Sequence, residues 1–291
     1  MKEIDMTIIL RRRKLGRTSC REIAANSKTG IVVVRNDKPM PEGHELVIRW
    51  GTTSNLPYPA TVINEAKAIH WVADKSASRF AMAEQGLSPK TWLKVDHFLA
   101  PENLNGNGDY PFPVIVRKNV HSQGRDLYSC SDVLELQNVC LKLGEGNYYI
   151  SEYIPKVAEY RVLVGSGRVV WVAKKTPADP DAIAWNVAQG GRFDNVRWQE
   201  WPIEAIRVAI EAFKLSGLDF GGVDVMVDAD GRAYVLEINS APSQTSPYRQ
   251  SCMAKFFDYI VENGKEHIAV ADYNSYLGVI HPAMTEKVRH G

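Results

Sequence analysis

The stretch YVLEINSAP, residues 234–242, places two polar side chains inside a hydrophobic run that resembles a β-strand. Glu237 and Asn239 are two residues apart, so on a strand they point to one face while Leu236 and Ile238 point to the other. An antiparallel sheet with one hydrated face produces this alternation without any function. A carboxylate and a carboxamide on one face are also the oxygen ligands that a hard cation prefers.

A third polar residue joins them if residues 220–239 form a hairpin that turns around Asp-Ala-Asp-Gly. With a four-residue loop at 229–232, Asp224 lies directly across from Glu237; with a two-residue loop it lies diagonally. In either register two carboxylates share a face, and they repel each other unless a positive charge lies between them. Mg²⁺ takes one or two protein carboxylates and completes its octahedron with water and phosphate oxygens, so the pattern predicts a site for a metal–nucleotide complex.

The elements that must position these residues are short strands and helices in irregular alternation, which predicts an α+β fold with much antiparallel sheet. A βαβ-like unit is expected at the N-terminus. Three helices are predicted from their opening residues, Asp74, Ser131 and Pro202. A loop is predicted over about 176–200. The C-terminal stretch SCMAKFFDYIVENG is amphipathic and is expected either to pack on the core or to form a partner interface.

Composition bounds the class of protein. The chain has 291 residues, of which 45% are hydrophobic and 24% charged, with a net charge of +1. That balance is typical of a globular protein and argues against a general attraction to nucleic acid or to anionic membranes. The 4 cysteines are far apart, without a CxxC pair, which argues against structural zinc and disulfides. With no signal peptide and no apolar run of membrane-spanning length, a cytoplasmic protein is expected.

The run GLDFGGVDVMVDADGRAYVLEINSAPS resembles the C-terminal signature of the ATP-grasp superfamily, especially its ribosomal-protein glutamate ligase branch and related carboxylate–amine ligases. In that family, an Asp on the first strand and a Glu and an Asn on the second hold the Mg²⁺ of Mg-ATP. The resemblance therefore implies that Asp224, Glu237 and Asn239 are the metal ligands. It implies ATP and one or two Mg²⁺ ions, or Mn²⁺ in their place, as the cofactors.

Upstream motifs resemble further parts of the family in the same order: DKSASRFAMAEQGL, VIVRKNVHSQGRDLY, YYISEYI and EYRVLV. They are similar to the family's phosphate-binding helix, its lysine strand with the loop over the triphosphate, its adenine hinge and its acidic-x-Arg strand. Arg117 stands where the family usually has Lys, which keeps the charge but changes the geometry. The resemblance implies nucleotide binding by Lys75, Arg117, Ser122, Gln123, Gly124, Glu152, Tyr153, Ile154, Glu159 and Lys174, with Lys175 as the alternative to the last.

The segment WNVAQGG, residues 185–191, resembles the Asn-containing segment before the family's last helix. The resemblance implies that Asn186 approaches the metal–phosphate site. It also implies that Arg161 and Arg192 contact the transferring phosphate or the substrate.

The similarity extends over residues 70–245 and implies an ATP-grasp fold, in which two α+β subdomains clasp the nucleotide, with an abbreviated N-terminal α/β domain. The expected divisions are an N-terminal domain at 1–72, a first ATP-grasp subdomain at 73–153, a second at 154–270 that holds the metal site, and a tail at 271–291.

The implied activity is ATP-dependent carboxylate–amine ligation through an acyl phosphate, with ADP and phosphate released. The substrates would be small-molecule or peptide carboxylates and amines, with amino acids or peptides favoured. Three alternatives stay open: an ATP-binding regulatory or degenerate relative without ligase activity, a kinase on the same scaffold, and a nucleic-acid module. The last would use the basic run RRRKLGR, 11–17, which is otherwise a solvated loop. The oligomeric state, a homo-oligomer included, stays open.

Overall fold

The computed structural model describes residues 6–14, 16–119, 126–179, 182–185 and 190–265. Three β-sheets organise these residues, and helices lie between and against them. The predicted α+β class is confirmed. None of the helices in these ranges is both long and apolar enough to cross a membrane. The division of the chain into four parts stays a prediction.

The N-terminal sheet is parallel, with the strand order β2-β1-β3-β4. Its strands are β1 (Met6–Arg11), β2 (Val32–Arg35), β3 (His44–Trp50) and β4 (Thr61–Ile63), and helix α1 (Arg17–Asn26) connects β1 to β2. The expected βαβ-like unit is therefore present. The prediction that the basic run is a solvated loop is wrong for its first residue, Arg11, which ends β1 and is buried. Its guanidinium donates to the carbonyls of Arg12 and Arg13 at 3.0 and 3.2 Å.

Helices α2 (Ala66–Ala73) and α3 (Lys75–Glu84) lead into the second sheet, which is antiparallel with the order β5-β8-β6-β7. The remaining elements of this region are β5 (Thr91–Trp92), α4 (Val95–Phe98), β6 (Val114–Lys118), β7 (Leu127–Cys130), α5 (Val133–Leu143) and β8 (Tyr148–Glu152). Asp74 caps α3 as predicted, since its carboxylate accepts from the N–H of Ala77 at 3.0 Å.

The cap of α5 differs from the prediction by one residue. The carboxylate of Asp132, rather than the hydroxyl of Ser131, accepts from the backbone N–H of Glu135 at 2.8 Å. The Ser131 hydroxyl instead donates to the Glu135 carboxylate at 2.8 Å. The Glu135 carboxylate also accepts from the backbone N–H of Ser131 at 2.8 Å, so Ser131 is held at the position before the cap.

The third sheet has the order β11-β10-β9-β12-β13 and is antiparallel. Its strands are β9 (Lys156–Gly165), β10 (Arg168–Thr176), β11 (Arg192–Asn195), β12 (Phe220–Asp228) and β13 (Ala233–Asn239). Strand β11 lies inside the span that was predicted as a loop. The prediction was wrong there because β11 is a short edge strand with mostly exposed polar residues, so it lacks the hydrophobic alternation of a buried strand.

Two helices cover the faces of the third sheet. Helix α6 (Ile203–Ser216) packs on one face through residues such as Ile206, Ile210 and Phe213. Helix α7 (Pro247–Asn263) packs on the other face, where its Phe256 and Phe257 join one core cluster. The C-terminal amphipathic stretch therefore packs on the core. Beyond α7, the same face of the sheet carries polar side chains, and these form the site.

Candidate functional site

A cleft of about 320 Å³ lies between the second and third sheets. Strands β6 and β8 and the segment after β8 form one wall, through Ile115, Arg117, Tyr149, Ser151 and residues 152–155. Strands β9, β12 and β13 form the other wall, through Lys156, Glu159, Asp224, Met226, Leu236 and Glu237. The cleft therefore brings together residues that the sequence predicted from five separate strands.

The two carboxylates of the predicted metal site lie directly across from each other. Asp224 on β12 pairs with Glu237 on β13, and Asn239 pairs with Gly222 one step further along the same face. The pairing register shifts by one residue between Asp224 and Val225, so that Leu236 is an additional residue in β13. The direct pairing of Asp224 with Glu237 therefore depends on a β-bulge as well as on the loop. Neither of the two registers predicted from the sequence included a bulge.

Arg79 on α3 contacts this bulge and was missed in the sequence. Its guanidinium donates to the carbonyl of Leu236 and, at 3.3 Å, to the hydroxyl of Ser151, so it ties β13 to β8. Burial lowers the pKa of Arg79 from its usual value. The spacing could have revealed it, because Arg79 lies four residues after Lys75 and the two therefore share a helix face.

Asp224 is held by Arg161 on the neighbouring strand β9. The Arg161 Nε and Nη2 atoms donate to the two carboxylate oxygens at 2.6 and 2.7 Å, a bidentate geometry. Burial disfavours the charged guanidinium, but the carboxylate of Asp224 outweighs it and raises the pKa of Arg161 above its usual value. Lys175 adds a second cation, with its Nζ 3.8 Å from Asp224 Oδ2.

Glu237 is held in its charged form by neighbours on two elements. Lys75, the first residue of α3, places its Nζ 3.4 Å from Glu237 Oε2, and Asn239 Nδ2 donates to Glu237 Oε1 at 2.9 Å. Burial would raise the pKa of this carboxyl group. The positive charge of Lys75 and the Asn239 hydrogen bond outweigh burial, so the pKa of Glu237 is well below its usual range.

Glu159 lies in a buried cluster with two lysines. It accepts from Lys156 at 2.6 Å and from Lys175. Lys174, which the sequence favoured for the site, is exposed on the opposite face of β10, whereas Lys175 is buried beside Glu159 and Asp224. The structure therefore brings Lys175 rather than Lys174 to the site. The choice was open in the sequence because adjacent strand residues alternate faces and either register was acceptable.

The end of the cleft beyond β8 is lined by Glu152, Tyr153 and Ile154, the residues predicted for the adenine hinge. Glu152 also extends the pairing of β8 with the edge strand β5, since its backbone N–H donates to the carbonyl of Lys90 at 2.9 Å. Opposite them, the ammonium of Lys156 lies 4.6 Å from the ring centroid of Trp185, which also lines the cleft. The pocket at this end is thus partly aromatic and partly charged.

The remaining predicted site residues lie either away from the cleft or outside the described residues. Arg192 is on β11, where its side chain is 72% exposed and pairs with Asp194 at 3.1 Å, so the structure does not bring it into the cleft. Asn186, and the loop residues Ser122, Gln123 and Gly124, lie outside the described residues.

The residues of the cleft fit a metal–nucleotide complex. Among the described residues no group of three or more His, Cys, Asp or Glu side chains could hold a metal, so the ligands available here are two carboxylates and the Asn239 amide. That set leaves coordination positions for phosphate oxygens and water, as Mg²⁺ prefers. Arg79 and Arg117 both line the cleft, and the buried Nε of each has no hydrogen-bond partner in the described ranges. Arg79, Arg117 and Lys156 line the cleft beside four carboxylates, and Lys75 and Lys175 pair with two of those carboxylates from just outside the lining. Five cations at or beside the cleft suit a polyphosphate.

Comparison with known proteins places these features in a family. The sequence matches the profile of the RimK-like ATP-grasp domain over residues 73–254. A protein of Marinomonas sp. (strain MWYL1) called "Probable alpha-L-glutamate ligase" is 28% identical over 223 residues, which are 72% of this chain and 72% of that protein.

Two solved structures share the fold. D-alanine–D-alanine ligase from Bacillus anthracis superposes with a TM-score of 0.63 at 18% identity, over 88% of this chain and 96% of that one. The macrocyclase MdnC from Microcystis aeruginosa MRC, bound with the precursor peptide MdnA, superposes with a TM-score of 0.59 at 14% identity, over 89% of this chain and 100% of that one.

Proposed function

The chain belongs to the RimK-like ATP-grasp family, and from this premise we propose that it joins a carboxylate to an amine while ATP is converted to ADP and phosphate. The predicted ATP-grasp fold and the predicted enzyme class, an ADP-forming ligase, are confirmed. The family uses ATP and a divalent metal generally. The identity of the metal as Mg²⁺, the residue roles, the acyl phosphate and the substrates belong to the proposal.

One observation carries the proposal. Asp224 and Glu237 lie directly across from each other, with Asn239 on the same face, at the wall of a cleft that is lined by Lys156, Arg79 and Arg117. This arrangement combines ligands for a hard cation with cations for phosphate oxygens, and a metal–triphosphate needs both.

The proposed reaction has two steps. A carboxylate oxygen of the acid substrate bonds to the γ-phosphorus of ATP while the bond from that phosphorus to the bridging oxygen breaks, which yields an acyl phosphate and ADP. The amine nitrogen then bonds to the acyl carbon while the bond from that carbon to the phosphate oxygen breaks. Phosphate leaves, and the nitrogen gives up one proton to water or to the departing phosphate. The protein contributes position and electrostatic stabilisation.

Mg²⁺ held by Asp224, Glu237 and Asn239 would neutralise charge on the phosphates. The chain's own cations do the rest of this work. Lys75 reaches the same end of the cleft as Glu237, and Arg161 lies beside Asp224, where its guanidinium can stabilise the charge on the acyl phosphate and on the oxyanion that follows. Glu152, Tyr153 and Ile154 line the end of the cleft that we assign to adenine.

The substrates are proposed to be amino acids or peptides. The Marinomonas relative is called a probable alpha-L-glutamate ligase, and MdnC is bound to a precursor peptide. We therefore propose L-glutamate as the first amine to test, with short peptides as the acids.

A nucleotide-binding measurement tests the proposal first. The melting temperature of the wild type is measured with a non-hydrolysable ATP analogue, with and without Mg²⁺, and compared with that of Glu237→Gln. A ligand at a hundredfold over its Kd stabilises by about 2.7 kcal/mol, so a Mg²⁺-dependent rise is expected in the wild type and not in the variant. No rise in the wild type under either condition would contradict the assignment of the site.

Product analysis tests the reaction. Incubation with ATP, L-glutamate and a peptide should release ADP and free phosphate and yield an amide, and Glu237→Gln should abolish this turnover. Full activity of Glu237→Gln would contradict the metal assignment. A phosphate ester in place of the amide would assign the same site to a kinase reaction.

A further inference from the structure

Arg249 is a buried arginine at the edge of the site that the proposed reaction does not use. It is on the first turn of α7 and is only 3% exposed. Its Nε donates to Ser246 Oγ at 3.1 Å and its Nη2 donates to Thr245 Oγ1 at 3.3 Å. Its guanidinium carbon lies 5.4 Å from the ring centroid of Trp171, which is itself fully buried. All these neighbours are neutral, so the positive charge of Arg249 has no carboxylate beside it among them.

Two hydrogen-bond donors in the cluster of Arg249 and Trp171 lack an acceptor. Arg249 Nη1 and Trp171 Nε1 are both buried without a hydrogen-bond partner in the part of the chain that the structure describes. Burial, and next the positive charge of Arg161, lower the pKa of Arg249, while Asp194 opposes this from a distance. Asp194 itself is hydrogen-bonded to Thr176 and Arg192. A buried cation without a neighbouring anion, and with a donor that lacks an acceptor, is unfavourable unless a ligand supplies them.

The position of Arg249 relative to the proposed chemistry indicates which ligand that is. The Phe193 ring is near both Arg249 and Arg161, with its centroid 5.7 and 4.7 Å from their guanidinium carbons. Arg161 forms an ion pair with Asp224, whereas Nη1 of Arg249 has no hydrogen-bond acceptor among the described residues. Arg249 does not line the cleft assigned to the nucleotide. An anion at Arg249 would therefore lie outside the cleft assigned to the nucleotide but close to Arg161, the residue proposed to stabilise the acyl phosphate. A second substrate that approaches the acyl carbon from outside the nucleotide cleft would meet it there.

We propose that Arg249, together with the indole N–H of Trp171, binds a carboxylate of the amine substrate and so positions its nitrogen for the second step. This assignment rests on the proposed ligase function. The ligand class is an amino acid that carries a carboxylate beside its reacting amine. The hydroxyls of Ser246 and Thr245 fix the orientation of the guanidinium, and its Nη1 keeps two hydrogens for a ligand. This suits the role, because a guanidinium recognises carboxylates directionally.

Calorimetric titration of the full chain with L-glutamate, in the presence of Mg²⁺ and the ATP analogue, tests the assignment. The variants are Arg249→Met, which removes the charge at similar length, and Arg249→Lys, which keeps it. Arg207→Met is the matched control, since Arg207 is half-exposed on α6 and pairs with Glu204. L-glutamine and the α-amide of glutamate serve as probes that each lack one carboxylate.

We expect Arg249→Met to weaken L-glutamate binding about tenfold or more, Arg249→Lys to weaken it less, and Arg207→Met to leave it unchanged. Nucleotide affinity should stay within about twofold in all three variants. The probe that lacks the bound carboxylate should bind equally to the wild type and to Arg249→Met, a selectivity that a merely structural role of Arg249 would not produce.

Three outcomes would overturn the assignment: equal L-glutamate affinity in the wild type and Arg249→Met, a parallel loss of nucleotide affinity, or a wild type that binds nucleotide but not L-glutamate. The ligase proposal fails separately. A wild type that shows no Mg²⁺-dependent nucleotide binding would contradict that proposal. A wild type that binds L-glutamate through Arg249 but forms no amide would also contradict it, while the carboxylate-binding role of Arg249 would stand without the positioning role.

Discussion

Replacement of Asp224 by Asn should destabilise the protein by an amount that the structure allows to be estimated. Asp224 and Arg161 are only 6% and 12% exposed in their side chains, and they form two hydrogen bonds at 2.6 and 2.7 Å. Removal of one partner from a buried ion pair costs about 3–5 kcal/mol, because the other charge stays buried without its partner. Asn keeps one acceptor oxygen, so we expect the lower end, about 3 kcal/mol.

Thermal and urea unfolding of the protein without ligands measure this loss. At about 2–4 °C per kcal/mol for a domain of this size, Asp224→Asn should melt about 6–12 °C below the wild type. Asp194→Asn is the matched control, because the Asp194–Arg192 pair is 49% and 72% exposed and an exposed pair contributes about 0–1 kcal/mol. Equal effects of the two substitutions would refute the description of Asp224–Arg161 as a buried pair.

A double variant separates the lost pair from the uncompensated charge. Arg161→Met with Asp224→Asn removes both charges, so the unpaired guanidinium is no longer present. The loss in the free energy of unfolding should therefore be smaller than the sum of the two single losses, by about 1–3 kcal/mol. Strict additivity of the single losses would show that the two side chains do not interact.

Three further outcomes are expected from the same site. Gly222→Ala should destabilise by about 1–3 kcal/mol, because its Cβ would lie 2.9 Å from a proline Cβ, whereas Gly106→Ala, with open space around it, should be neutral in urea unfolding. Lys175→Met should lower the melting temperature and Lys174→Met should not, because only the former leaves a buried carboxylate short of a partner. The folded-state pKa of Glu237 is lowered, so its contribution to stability is present above the ordinary glutamate pKa of about 4.3 and is lost as the pH falls below it. Glu237→Gln should therefore flatten the acid limb of a pH series of unfolding experiments, and an unchanged limb would contradict the lowered pKa.

Much of the local structure could be predicted from the sequence. The cap of α3 at Asp74 and the opening of α6 at Pro202 depend on residues within one helical turn. The shared face of Glu237 and Asn239 follows from strand alternation alone. Errors occurred where the signal was weak or ambiguous, as at the short edge strand β11 or at the adjacent candidates Ser131 and Asp132.

The sequence by itself determined the α+β class, the hairpin of Asp224, Glu237 and Asn239 that we propose as the metal site, and membership of the ATP-grasp superfamily, because these reside in patterns of neighbouring residues. Only the tertiary structure decided which charges meet. Arg79 reaches the Leu236 carbonyl across 157 residues of chain, and the bulge there sets the final register of Asp224 against Glu237. The choice of Lys175 and the burial of Arg249 likewise depend on how strands and helices from distant parts of the chain pack, since burial and ion pairing are properties of the assembled fold and not of local spacing.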